Sequence, residues 1–185
     1  MLPAYPLVLA SASSDGAALT ASTTATSIMP ASALATIPAG ALQIGSLINI
    51  KLRGRMSNIV TTPGTLTLDI RIGGVVVSSF GAMALNTAAN TNASFDFEAL
   101  AVIRSIGAGT AATAICTAEF TCRTLVGSPL VAAGGPGGIV LPDTAPAVGT
   151  GFNSTTALTV DVFGTWSLSN ANSIQVHQAL IELKV

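Results

Sequence analysis

Charge is what this chain most lacks. Lys and Arg number seven and Asp and Glu eight among 185 residues, so 8% are charged and the formal net charge is −1, against about 25% charged in an ordinary soluble domain. Seven scattered cations leave no electrostatic footprint for nucleic acid. Aromatic residues are equally scarce at 4%, with one Trp (Trp166) and one Tyr, which is a poor supply of stacking rings for a sugar-cleaving site. A single His (His177) is too few for a metal centre and leaves a Ser or Thr nucleophile almost no choice of base. No apolar run approaches the ~20 residues that a membrane-spanning helix needs. The opening MLPAYPLVLASASS has no basic residue ahead of its short apolar run, and Pro3 and Pro6 interrupt it, so it does not read as a secretory signal. These absences exclude nucleic acid and membrane as expected partners and imply no cofactor.

Cysteine is nearly absent too. Cys116 and Cys122 lie six residues apart in AICTAEFTCRT. The run alternates like a strand, and six steps of ~3.3 Å place the two thiols roughly 20 Å apart, well beyond the ~7 Å between Cα atoms that a disulfide tolerates. Two free thiols filling a core is the expectation.

What fills the space is Ala, Ser, Thr, Asn and Gly beside a 50% share of hydrophobic residues. The length suits one domain with a real core, and a surface so poor in charge implies that much of it lies against other subunits. Residues 1–40 are of low complexity, with Ile28, Met29, Leu34 and Ile37 as apolar anchors. They read as an arm with little regular structure, carrying one short strand and laid over its own body or a neighbour's.

From residue 41 the period is two. In SLINIKLRGRM, Ile48, Ile50, Leu52 and Met56 share one face and Asn49, Lys51, Arg53 and Arg55 the other. TLTLDIRIGGVVVSSF alternates likewise, with Gly73-Gly74 placed as a two-residue hairpin turn. SFDFEALAVIRSI and ICTAEFTCRTLV continue the pattern. Residues 127–151 break it: seven Gly and four Pro forbid a central strand or a helix, so a long loop is expected there. TVDVFGTWSLSNANSIQVHQALIELKV then reads as a hairpin closing on a final strand, with SNANS at the turn. Seven or eight strands and no convincing helix predict an all-β fold, an antiparallel β-sandwich of jelly-roll-like type over 41–185 with an extended N-terminal arm.

Chemistry is sparse. No G-x-S-x-G elbow occurs, and His177 on a strand reads as structural or surface. Asp161 and Glu182 are the one carboxylate pair that adjacent strands could bring together, though no signal places them side by side. Trp166 reads as core. Lys51, Arg53 and Arg55 on one strand face are either a solvated surface or an interface stripe that meets Asp96 or Glu98 on a neighbouring strand or subunit. With the loop residues Gly134, Gly135, Pro136, Gly137 and Gly138 they form the candidate subunit interface. No residue is assigned a catalytic, cofactor-binding or metal-binding role, and the chain is not read as an enzyme. The matches to the glycosylation pattern at Asn92 and Asn153 are what chance gives in so Asn- and Thr-rich a chain.

The C-terminal third carries a Gly/Pro loop, GTGFNST (149–155), TVDVFGTWS (159–167) and NSIQVHQ (172–178). In these motifs, and in SFDFEALAVIRSIGAGTAA, it resembles small structural proteins of tailed bacteriophages. The resemblance implies a non-enzymatic virion component: a capsid decoration (cement) protein that trimerises on the outside of the head and ties major capsid subunits together. The alternative it leaves open is a tail or fibre module that binds a host-surface receptor. Cell-wall sugar hydrolysis is the third and weakest reading.

Overall fold

The computed structural model describes residues 6–127, 138–142 and 144–185. The chain is nearly all strand. In order these are β1 (Leu7–Ser11), β2 (Leu19–Thr20), β3 (Thr26–Ser27), β4 (Ala35–Ile37), β5 (Leu47–Asn58), β6 (Thr65–Ile72), β7 (Val75–Leu85), β8 (Asn90–Ser105), β9 (Thr113–Cys122), β10 (Leu125–Gly127), β11 (Gly138–Leu141), β12 (Leu158–Trp166) and β13 (Ser173–Lys184). A three-residue 3-10 turn, Ala31–Ala33, precedes β4.

Two antiparallel sheets face each other. The seven-stranded sheet runs β1-β13-β5-β8-β9-β11 with β2 also on β13; the six-stranded sheet runs β10-β7-β6-β12-β3 with β4 also on β12. The antiparallel β-sandwich is therefore what the period-two pattern predicted. Four connections, β1–β2, β3–β4, β6–β7 and β8–β9, stay within a sheet, whereas every connection from β9 onward crosses between sheets. The Gly73-Gly74 turn forms as expected: Ile72 faces Val75, and φ is +61° and +80° at the two glycines, the doubly positive geometry that tight hairpins prefer.

The core follows from alternation. Ile48, Ile50, Leu52 and Met56 of β5, Phe95, Phe97, Ala99, Ala101 and Ile103 of β8, and Leu66, Leu68, Ile70 and Ile72 of β6 are all buried. Phe80, Phe97 and Phe120 meet edge-on across the two sheets, with ring centroids 6.0 Å apart in each pair. Cys116 and Cys122 are free and buried on the core face of β9. Burial pushes the Cys116 thiol up to about 12, so it stays protonated.

Three sequence readings need correction or refinement. First, β12 and β13 do not make a hairpin: β12 pairs with β6, β3 and β4, while β13 pairs with β5, β1 and β2. SNANS is a crossing between sheets, which turn residues serve equally well. Secondly, residues 6–40 carry four short strands rather than one, and all four pair with the chain's own β12 or β13. Thirdly, the 127–151 segment holds an edge strand, β11, on β9. Its later part returns along the sandwich through bridges from Val148 to Ile115 and from Phe152 to Ala112. Gly134, Gly135, Pro136 and Gly137 lie outside the described residues.

Candidate functional site

The outer face of the seven-stranded sheet collects most of the residues singled out above. Strand register arranges them in cross-strand rows. One row runs Leu180, Lys51, Glu98, Glu119, Val140. The next runs Gln178, Arg53, Asp96, Thr121, Gly138. On the other side of the first row lies Glu182, Asn49, Leu100, Thr117. Lys51, Arg53, Arg55 and Gly138 thus share one face, because their strands are neighbours and their parity is outward.

Lys51, Arg53 and Arg55 are already partnered within the chain. Lys51 Nζ lies 3.0 Å from Glu98 Oε1, and Arg53 Nε lies 2.7 Å from Asp96 Oδ2. Arg55 donates to Gln175 Oε1 at 2.8 Å. Asp96 and Glu98 are therefore met on a neighbouring strand of the same molecule. Such exposed pairs contribute ~0.2–1 kcal/mol each, so they fix register more than they stabilise. Glu119 faces Glu98 directly and makes no ion pair among the described residues. Between the rows opens a groove of about 460 Å³, with Leu47, Leu100 and Val140 on its apolar walls and Glu98, Glu119, Glu182 and Lys184 at its polar margin.

Much of the apolar exposure belongs to this sheet. Among the described residues eleven large apolar side chains are exposed. Eight of them, Leu7, Val8, Ile44, Leu100, Ile106, Val140, Val148 and Val185, belong to the strands of this sheet or to the segments at the end where β5 begins and β13 closes. Val140 is 72% exposed. The face thus carries ion pairs and, beside them, exposed apolar side chains, Val140 at the end of the Lys51–Glu98 row and Leu100 in the next. The sequence reading marked the first and missed the second: an outward Leu or Val on an edge strand looks like any other member of an apolar run until its parity and its neighbours are known.

The six-stranded sheet carries a smaller polar group on its outer face. Asp161 Oδ1 accepts from Ser27 Oγ and from the Val162 amide, both at 2.7 Å. Arg71 lies opposite Asp161 in register, stacks over the Phe163 ring at 3.7 Å and reaches Asp69 at 3.7 Å. Burial raises the Asp161 carboxyl above its usual range; its two hydrogen bonds and the Arg71 charge pull the other way but do not cancel it. Glu182 faces outward from the opposite sheet, so the whole core separates it from Asp161. The two carboxylates cannot flank one bond, as glycoside hydrolysis would demand.

His177 stands at a bulge of β13, where register slips between Val176 and Gln178. Its Nδ1 lies 2.9 Å from Asp15 Oδ1 of the arm. Among the described residues no Ser, Thr or Cys is hydrogen-bonded to His177, and no group of three His, Cys, Asp or Glu is gathered to hold a metal ion. Trp166 is 1% exposed and its indole donates to Leu19 O at 3.2 Å, a core residue under the arm.

Comparison with family models, with curated proteins and with solved structures returns no match. The resemblance to phage structural proteins therefore rests on its motifs alone. In the fold those motifs are structural. GTGFNST closes against the end of β8, where the Ser154 hydroxyl bonds both the amide and the carbonyl of Gly107; TVDVFGTWS is β12, and NSIQVHQ enters β13.

Proposed function

We propose that this protein is a non-enzymatic structural component of a phage virion, a decoration protein that sits on the outside of the head, acts as a homotrimer and ties major capsid subunits together. The observation that carries the adhesive part of this reading is the outer face of the seven-stranded sheet, which sets exposed apolar side chains beside ion pairs. Contiguous exposed apolar surface marks interaction sites, and protein interfaces place apolar residues at the centre with a polar rim. Leu100 and Val140 supply the centre, and the pairs Lys51–Glu98 and Arg53–Asp96 supply the rim. At ~25 cal/mol per Å² of apolar surface removed from water, a modest contact repeated over a shell stiffens the whole. The virion assignment comes from the motif resemblance, and the scarcity of charge agrees with a surface that spends its life against other subunits.

Cryo-electron microscopy of the intact particle tests this directly. Density for the chain in threes on the capsid lattice is the expected result. Density confined to the tail would favour the alternative, a module that binds a host-surface receptor, and a particle without the chain would end the virion reading altogether.

A further inference from the structure

Residues 6–37 are not a loose tail but a clasp. β1 and β2 pair with the free edge of β13, and β3 and β4 pair with the free edge of β12. These two strands are the ends of a core that is open between them, and the arm closes that opening. Leu19 and Ile28 are buried there at 5% and 1%. Both press on Gly164 so closely that a Cβ at that position would come within 2.9 Å of Leu19 and 3.1 Å of Ile28. The Gly16 amide donates to Val176 O at 2.8 Å, and Ile28 donates to Val162 O at 3.0 Å. Every one of these contacts is made to the chain's own last two long strands.

The clasp joins the body through a short hinge. Ile37 is the last buried residue of the arm and Leu42 the first of the body; Pro38, Ala39 and Gly40 between them are exposed, and Gly40 sits at φ +69° with nothing within 4 Å of a would-be Cβ. Short hinge loops are where exchange of an element between identical chains begins.

We propose that the slot between β12 and β13 accepts residues 6–37 of a second copy of this chain, so that neighbouring molecules can exchange clasps. The physical reason is that an arm in trans makes the same hydrogen bonds and buries the same side chains as the arm in cis. The balance is then set only by the hinge and by the local concentration of chains. Exchange needs nothing from the virion reading, although a lattice of closely spaced copies would favour it.

A disulfide reads the two arrangements apart. Ser27 and Phe163 are cross-strand partners, and the bond from Ile28 N to Val162 O makes them a non-hydrogen-bonded pair, with Cα atoms ~4.5 Å apart and within disulfide reach. The full chain carrying Ser27→Cys and Phe163→Cys is heated and cooled at low and at high concentration, oxidised, and run on a non-reducing gel. The native Cys116 and Cys122 are buried and do not compete. Covalent dimer that grows with concentration, and is absent from either single variant, is expected. A second pair, Thr20→Cys with Ser173→Cys, asks the same question on β13 and serves if the first variant fails to fold. Bonds formed only within one chain at every concentration, in whichever pair folds, would overturn the proposal.

Discussion

Gly54 shows what a single residue can be required to do. It occupies an inward position of β5 between Leu52 and Met56, opposite the bulge at which β13 shifts register. A Cβ built there would overlap Gln175 O and come 2.8 Å from Phe95 Cε1. The obstacle is backbone, so the strand itself must move. Gly54→Ala is expected to lose about 2–3 kcal/mol or more by overpacking. Gly109→Ala, strained only by φ +66° with nothing within 4 Å, should lose about 1 kcal/mol. Urea unfolding midpoints measure both; equal losses would mean that the β5–β13 contact yields easily. The alternation of SLINIKLRGRM is plain in the sequence, but the need for glycine at 54 is not, because it arises from a bulge on a strand 120 residues later. Asp161 supplies a second prediction at this scale. Its folded carboxyl is raised by burial above its unfolded value, so its protonation favours the native state, and that contribution is full at low pH and lost as pH rises through the folded value. Wild type should therefore gain stability relative to Asp161→Asn as pH falls from 7 to about 4. Denaturant unfolding of both proteins at each pH measures it, and a gap that widens in favour of the variant on acidification would reverse the assignment.

At the scale of elements, what the sequence reveals is strandedness, not partnership. β5, β6, β8, β9, β12 and β13 each announce themselves by period-two alternation, and the Gly73-Gly74 hairpin by its turn chemistry. Which sheet each strand joins has no local signal, and so β12 and β13 were paired wrongly. The strands of the arm, two to five residues long, are too short to show a period at all; only the apolar anchors Ile28, Met29, Leu34 and Ile37 pointed to them, and of these Ile28, Met29 and Ile37 are buried while Leu34 is exposed. The crossing from β12 to β13 is fixed by a residue that reads as mere turn filler. Asn172 is fully buried; its amide donates to Pro63 O and its Oδ1 accepts from Ile59 N at 3.0 Å, tying the crossing to the loop after β5. Asn172→Ala would leave the Ile59 amide without its acceptor, at ~1–3 kcal/mol for the unpaired group, while Pro63 O keeps a second donor in Asn170 Nδ2 at 3.2 Å. A fall in the thermal midpoint of several degrees is expected. No measurable fall would mean that water reaches the Ile59 amide.

For the whole molecule, the question is why an outer sheet face should set exposed apolar side chains beside ion pairs. Stability does not require it. The pairs Lys51–Glu98 and Arg53–Asp96 are exposed and stabilise the fold little, while Val140, at 72% exposure, gains little from a surface that water reaches. A face arranged for folding alone would carry Thr or Ser at such outward positions, as Thr117 and Thr121 do. The arrangement makes sense if the apolar side chains are covered in the assembled state and the charges set the orientation of whatever covers them. That reading separates stability from binding and can be tested on that ground. Leu100→Asp with Val140→Asp should leave the unfolding midpoint of the isolated protein within a few degrees, since both side chains point away from the core, yet should reduce its retention on the particle by tenfold or more, which corresponds to about 1.4 kcal/mol of lost binding. Arg53→Ala should move neither quantity by more than about twofold in binding or ~1 kcal/mol in stability. Co-sedimentation of purified variants with particles stripped of the native protein gives the first quantity and thermal unfolding the second. Retention unchanged in the double variant would show that this face looks out to solvent in the assembly. The arm or the ends of the sandwich would then have to carry the adhesion.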